Sequence, residues 1–323
     1  MGRLKGICIS EKRGTEKHEV REAMVKMDWG IEGDAHGGKW HRQISLLSDE
    51  KIQEFRAKGA EVAYGAFGEN LIVEGFDFRA LPVGTRFHIG DVVLEMTQIG
   101  KECHSHCQIY KRMGDCIMPR EGVFAEVVTG GHIKVGDEVV MEQVKSDRPF
   151  SAAVITLSDK GSAGEREDKS GPMIVEMLKD AGYDIKETNL LPDEHKKLEK
   201  ELIRLADQRQ LNVIFTTGGT GFSERDRTPE ATVNVCDRMA SGIAEAIRNY
   251  SMTITKRAMF SRAVSGIRKK TLIINLPGSP KAVQEALEFL LLNLDMGLES
   301  SGEQKANVPE NKEVKNHEWI YTF

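Results

Sequence analysis

The stretch Asn212-Val-Ile-Phe-Thr-Thr-Gly-Gly-Thr-Gly-Phe-Ser-Glu-Arg-Asp-Arg-Thr-Pro-Glu-Ala231 decides the fold of the C-terminal half. Its opening run, Asn212 to Thr216, reads as a buried strand. Its end suits the start of a helix, with Thr228 as N-cap and Pro229 and Glu230 in the first turn. Between them Gly218, Gly219 and Gly221 let the backbone approach a ligand closely and aim N–H groups at an anion. The hydroxyls of Thr217 and Thr220 add donors. In open α/β sheets ligands bind at the carboxyl ends of strands, where this loop falls. It is not a Walker A loop, because the Gly-Lys-Ser/Thr ending is absent. A plain connecting turn is the competing reading, but such a turn needs neither these glycines and threonines nor Arg225-Asp226-Arg227.

Outward from this loop the rhythm of strand and helix continues. Phe150 to Leu157 is an apolar, β-branched strand, and Ser170-Gly-Pro172 opens a helix that Gly182 ends. A second helix is expected over Lys196 to Asp207, a strand over Thr271 to Asn275 and a long amphipathic helix over Ser279 to Met296. Strands alternating with helices predict a mainly parallel sheet covered on both faces, over residues 150–300. Ser158-Asp159-Lys160, Leu191-Pro-Asp193 and Leu276-Pro277-Gly278-Ser-Pro280 are strand-end loops that fit the same edge. A carboxylate such as Asp226 beside a phosphate-cradling loop would be repelled by the ligand unless a divalent cation lay between them, and Mg²⁺ is the usual bridge. The alternative for Asp226 is a salt bridge with Arg225 or Arg227. Asp193 supplies a second acid at that edge, though alone it reads as a turn or cap residue.

Before residue 146 the texture differs. Short apolar runs end at glycine turns, as in Asn70 to Gly75, Thr85 to Gly90, Asp91 to Thr97 and Asp137 to Met141, which predicts a β-rich barrel or sandwich over residues 1–145. One helix is expected from Asp49 to Lys58. Ser146-Asp-Arg-Pro149 is a polar linker, and residues 301–323 form a polar tail. Two segments stand out, Gly30 to Leu46 with His36, His41 and Arg42, and Gly100-Lys-Glu-Cys103-His-Ser-His-Cys107 with Cys116 further on. Cys103, His104, His106, Cys107 and Cys116 read either as a zinc site of unusual spacing or as a reactive thiolate favoured by Lys101 and the histidines. His36 and His41 alone read as surface or hydrogen-bonding residues.

The bulk properties set the frame. A chain of 323 residues is long enough for two domains, and 40% hydrophobic with 29% charged residues fits two ordinary cores. The net charge of −5 argues against nucleic-acid binding. No apolar run approaches the ~20 residues that span a bilayer, and the first residues lack a secretory signal, so a cytoplasmic protein without membrane partners is expected. Five cysteines, three of them clustered, do not form a disulfide framework.

Residues 150–300 resemble the molybdopterin adenylyltransferase family of the MogA/MoaB type. The matching stretches are Thr-Leu-Ser-Asp-Lys-Gly (156–161), Asp-Lys-Ser-Gly (168–171), Leu-Pro-Asp-Glu (191–194), Thr-Thr-Gly-Gly-Thr-Gly (216–221) with Arg-Asp-Arg-Thr-Pro-Glu-Ala (225–231), Ser-Arg-Ala-Val-Ser-Gly-Ile-Arg (261–268) and Ile-Asn-Leu-Pro-Gly-Ser-Pro (274–280). The resemblance implies an α/β/α three-layer domain that transfers AMP from ATP to molybdopterin and releases pyrophosphate. It implies that Asp193 and Asp226 ligate Mg²⁺ and promote the transfer. It places the cofactor on Ser158, Asp159, Thr217, Gly218, Gly219, Thr220, Gly221, Ser261, Pro277 and Gly278, in a homo-oligomer built on trimers. Residues 1–145 are similar to a MOSC domain through Gly-Asp-Ala-His-Gly-Gly with His-Arg-Gln (33–43), Phe-Gly-Glu-Asn-Leu (67–71), the cysteine after Gly-Lys-Glu, and Gly-Gly-His-Ile-Lys-Val-Gly-Asp (130–137). That likeness implies a barrel-like domain that binds or sulfurates the cofactor, with Cys103 as the catalytic thiol and His36, Arg42 and Cys107 near the cofactor. Other cofactor-biosynthesis proteins or molybdoenzymes are the implied partners, and a carrier without turnover is the alternative function.

Overall fold

Short apolar runs that alternate inward and outward bury one face each, and the N-terminal strands do this by wrapping into a ring. The computed structural model describes residues 1–102, 110 and 115–301. It divides into one unit formed by Met1–Val144 with Ile203–Gln210, and another formed by Lys145–Leu202 with the chain from Leu211 onward. Among the described residues no helix is long and apolar enough to cross a membrane.

In the first unit an eight-stranded sheet runs in the order Glu138–Glu142, Arg86–Ile89, Val92–Ile99, Val123–Thr129, Ile44–Ser48, Leu71–Glu74, Gly2–Ile9, His18–Val20. Glu138–Glu142 also pairs with Gly2–Ile9, through Gly2↔Val139 and Arg3↔Glu138, which closes the barrel. The inward residues Leu4, Ile7, Leu46, Leu71, Phe87, Leu94, Val123 and Val139 fill its interior. The helix Asp49–Ala57 packs Ile52 and Phe55 outside the ring against Phe67, Cys116 and Phe124. Cys8 and Cys116 are buried in this second cluster and behave as packing residues.

The second unit holds a six-stranded mixed sheet in the order Asp184–Leu191, Ser151–Leu157, Val213–Thr217, Thr271–Leu276, Ser265–Arg268, Arg238–Met239. The first four strands are mutually parallel, and the last two join antiparallel. Ala152 and Val154 enter a core shared with the helices Ser170–Asp180, Ser241–Ile254 and Pro280–Leu290. Ala153 and Ile155, which point the other way, are fully buried too.

Three local expectations are corrected. The long helix over Ser279 to Met296 is two helices, Pro280–Leu290 and Leu294–Ser301, separated by a turn. Leu287, Leu290, Leu294 and Leu298 keep helical spacing across that turn, so periodicity alone joined them. The helix over Lys196 to Asp207 is His195–Ile203 followed by a π-helical turn, Arg204–Gln208. Thr228 is the first helical residue rather than the N-cap, which is Arg227. Its hydroxyl donates to the Gly218 carbonyl at 3.0 Å, so it ties down the glycine loop instead of capping the helix.

Candidate functional site

Parallel pairing fixes where the strand-end loops meet. Leu157 lies opposite Leu191, Thr156 opposite Thr217, and Thr217 opposite Leu276. The loops that begin at Ser158, Pro192, Gly218 and Pro277 therefore leave one sheet edge side by side. Gly218 and Gly219 have φ of +96° and +63°, the left-handed region that favours glycine. A Cβ on Gly218 would lie 2.3 Å from the Leu157 carbonyl oxygen, and one on Gly219 would lie 2.4 Å from Thr228 Oγ1. Thr217 donates its hydroxyl to the Pro277 carbonyl at 2.6 Å, and Ser170 donates to the Gly278 carbonyl at 3.3 Å. No acceptor among the described residues takes the N–H of Gly219, Thr220 or Gly221. Successive amides without protein partners make an anion cradle.

Both singled-out acids face this loop. Asp193 Oδ1 lies 3.4 Å from the position a Cβ on Gly219 would take, and Asp226 Oδ2 lies 2.9 Å from the corresponding position on Gly221. Asp193 and Asp159 are bound reciprocally, each backbone N–H donating to the other's carboxylate at 3.0 Å. Arg225 grips Asp159 with Nε at 3.1 Å and Nη2 at 2.6 and 2.8 Å. That guanidinium holds the Asp159 carboxyl below its usual range. The Asp193 carboxyl is instead pushed up, first by partial burial and then by the charges of Asp159 and Asp226. The salt-bridge alternative for Asp226 is resolved here. Arg225 turns to Asp159, Arg227 Nε donates to the Glu224 carbonyl, and the Asp226 carboxylate accepts the Ser223 N–H at 2.9 Å.

A divalent cation suits this donor set. No group of three or more His, Cys, Asp or Glu side chains gathers as a metal site among the described residues. Mg²⁺ is typically held by one or two carboxylates with substrate phosphates completing the shell, which is what Asp193 and Asp226 beside an anion cradle can offer. Burial first, and then the neighbouring charges of Asp159 and Asp226, disfavour the Asp193 carboxylate, and a cation at this edge would offset both.

Ser261 lies next to this frame, with its hydroxyl accepting the Ala263 N–H at 3.4 Å and its carbonyl bound by Arg248. Ser158 caps the short helix Asp159–Ser162 by accepting from Gly161. The residue that organises the loop, Arg262, lies in the stretch 261–268 quoted for the resemblance, but the sequence reading assigned it no role. Its Nε donates to the Gly221 carbonyl at 2.7 Å, its backbone N–H to the Thr220 carbonyl at 3.0 Å, and its two Nη atoms to the Asp226 carbonyl and Glu230. Nothing local signals this, because the partners of its side chain sit 32 to 41 residues away. Asp168 was also passed over, although its Oδ1 accepts the N–H groups of Ser170 and Gly171 and so starts the helix Ser170–Asp180. An Asp just ahead of a helix is a readable cap signal.

In the barrel unit His36 and Arg42 lie on the loop between Gly30–Ile31 and Ile44–Ser48. His36 Nδ1 is 3.7 Å from Asp34, whose carboxylate is buried against Lys17 at 2.8 Å. Arg42 stacks over the Trp40 ring at 4.7 Å and the Phe124 ring at 5.5 Å. His41 bonds Gln98 at 2.9 Å, in keeping with a hydrogen-bonding role. Cys103, Cys107, His104 and His106 lie outside the described residues, so neither the zinc nor the thiolate reading meets a structural observation. Cys116 is packed in the core.

The family model described as "Probable molybdopterin binding domain" matches residues 153–295, and that of the MOSC domain matches residues 32–140. The molybdopterin adenylyltransferase of Helicobacter pylori strain J99 is 44% identical over 137 residues, which are 42% of this chain and 78% of that protein. The molybdopterin adenylyltransferase of Escherichia coli K12 is 41% identical over 138 residues, covering 42% of this chain and 70% of its own length. The solved molybdopterin biosynthesis enzyme MoaB of Thermus thermophilus is 42% identical, with a TM-score of 0.47, over 48% of this chain and 98% of that one. Identity of 41–44% over 70–78% of the curated relatives' length, with a family-model match at residues 153–295 that spans the glycine loop and both aspartates, places the chain in the molybdopterin-binding domain family, with a MOSC domain ahead of it.

Proposed function

We propose that the C-terminal unit is an enzyme of molybdenum cofactor biosynthesis that transfers AMP from ATP to molybdopterin. The observation that carries this reading is the approach of Asp193 and Asp226 to one glycine loop with unpartnered amides. In the reaction an oxygen of the pterin's terminal phosphate attacks the α-phosphorus of ATP. The bond from that phosphorus to the β-phosphate oxygen breaks, and pyrophosphate leaves. The chain's own share is positioning and charge compensation, as generally in phosphoryl transfer. The amides of Gly219 to Gly221 receive phosphate oxygens, Thr217 holds the neighbouring loop beside them through the Pro277 carbonyl, and Asp193 and Asp226 would hold Mg²⁺. Bound there, the ion would neutralise phosphate charge as it builds on the leaving group. Ser158, Asp159, Ser261 and Pro277 border the same edge and fit a supporting place around the pterin.

For the barrel unit we propose cofactor binding or sulfuration, with His36 and Arg42 on its loop and the thiols of Cys103 and Cys107 beyond the described residues. Assembly of copies in threes and a cytoplasmic place complete the proposal.

Pyrophosphate release by the full chain with ATP, Mg²⁺ and molybdopterin tests it. Asp226→Asn and Asp193→Asn should each slow release on the order of 10²–10³-fold, the usual cost of losing one charge-stabilising group. They should also raise the Mg²⁺ concentration needed for half-maximal rate. Full activity in both variants would overturn the reading. Tight pterin binding by the unaltered chain with no AMP transferred would establish the carrier instead.

A further inference from the structure

We propose that Phe222 and Phe260 form a stacking platform for the planar heteroaromatic ring of a ligand whose phosphate sits on the glycine loop. The proposal rests on the adenylyl-transfer reading above. Phe222 is 70% exposed and Phe260 53% exposed, so the two rings present adjoining apolar surface to solvent, and it is such a patch, not a single exposed ring, that marks a binding surface. They are paired, with centroids 5.6 Å apart and planes at 77°. An edge-to-face pair of this kind leaves a ring face open to a third flat partner.

Both rings are anchored to the frame that carries Asp226. Phe222 directly follows Gly221, whose carbonyl is held by Arg262 Nε at 2.7 Å. The next residue, Ser223, donates its N–H to the Asp226 carboxylate at 2.9 Å. Phe260 ends the 3₁₀ turn Lys256–Phe260, and two residues on, the Arg262 N–H binds the Thr220 carbonyl at 3.0 Å. The loop amides and the rings therefore belong to one tied segment. Phe222 is the residue next to the last of the loop amides, so a phosphate in the cradle would leave the rest of its ligand within reach of the ring pair. Adenine and pterin both offer a flat π face, so the shared chemistry is a planar heteroaromatic ring carried on a phosphate.

Calorimetric titration of the full chain with Mg²⁺ present distinguishes the sources, using ATP, molybdopterin and inorganic tripolyphosphate in turn. Phe222→Ala and Phe260→Ala should bind one ring-bearing ligand about tenfold more weakly, the ordinary scale of base–aromatic stacking. Tripolyphosphate, which has no ring, should bind both variants as it binds the parent. Phe222→Trp should restore the lost affinity. The ligand that weakens identifies the ring as adenine or pterin. Unchanged affinity for both ring-bearing ligands in Phe222→Ala would overturn the platform while leaving adenylyl transfer intact. An equal loss for tripolyphosphate would overturn it too, since the loop itself would then be disturbed. Retained affinity with a fall in assembly mass by light scattering would reassign the pair to a contact between copies. A parent chain that binds neither ATP nor tripolyphosphate overturns both readings before any variant is compared.

Discussion

Arg262 holds the glycine loop at three carbonyl or carboxylate groups and contributes a fourth bond from its backbone. A guanidinium can do this because its donors fan out in one plane, whereas a lysine ammonium is a single point on a flexible stem. Arg262→Lys should therefore keep the fold but let the Thr220–Asp226 segment drift. A displacement near 1 Å is enough to cost on the order of 10²-fold in rate. Pyrophosphate release should fall by that order while the thermal midpoint stays close to the parent's. A variant that transfers AMP at the parental rate would show that the segment needs no such clamp. The same residue illustrates a limit of sequence reading. Asp193, Asp226 and the loop glycines announced themselves by type and position, but an arginine acting on groups more than thirty residues away leaves no local trace.

At the scale of elements, the parallel strands and the loops leaving them were legible because burial on both faces writes continuous apolar runs. The antiparallel strand Ser265–Arg268 was not. Its Gly266 is a poor strand former, and its reason is tertiary, since a Cβ there would lie 2.6 Å from Cys236 Sγ. The helix Ser241–Ile254 was also missed, although its buried Ala244, Ile247 and Ser251 recur at helical spacing and were open to the same reading. The glycine loop gives a test of how much its backbone is constrained. Gly164 and Gly218 both have positive φ, +75° and +96°, but a Cβ on Gly164 meets nothing within 4 Å while one on Gly218 meets the Leu157 carbonyl oxygen at 2.3 Å. Gly164→Ala should cost only the left-handed backbone penalty, about 1 kcal/mol. Gly218→Ala adds a clash with main chain from the neighbouring strand and should cost more than about 3 kcal/mol. Denaturant midpoints of the two variants check this, and equal costs would mean that the loop gives way more easily than its contacts imply.

Across the whole molecule the chain builds two separate cores, so acid and base can act on each unit differently. In the barrel, Glu69 is fully buried with its carboxylate accepting the N–H groups of Gly65 at 2.8 Å and Phe67 at 3.0 Å. Burial outweighs these bonds and the nearby Lys17, and pushes its carboxyl from 4.5 up to about 7. Between those two values the folded barrel binds more protons at this site than the unfolded chain does. Linkage then requires stability from this group to be present at the acid end and to fall as pH rises through the window, levelling off above about pH 7. Asp34 acts in the opposite sense. Burial is outweighed by the Lys17 ammonium, bonded at 2.8 Å, and the Ser10 N–H, donating at 2.9 Å, which hold its carboxyl below the usual range, so its contribution is lost only in acid well below that window. Hydrogen exchange read separately on the strands Ile44–Ser48 and Leu71–Glu74 should therefore show protection declining from pH 5 to pH 7. Glu69→Gln removes the titration. It should lower protection overall, because one backbone N–H loses its acceptor, yet flatten the slope across the window. A slope that survives in Glu69→Gln would assign the pH response to other groups of the barrel.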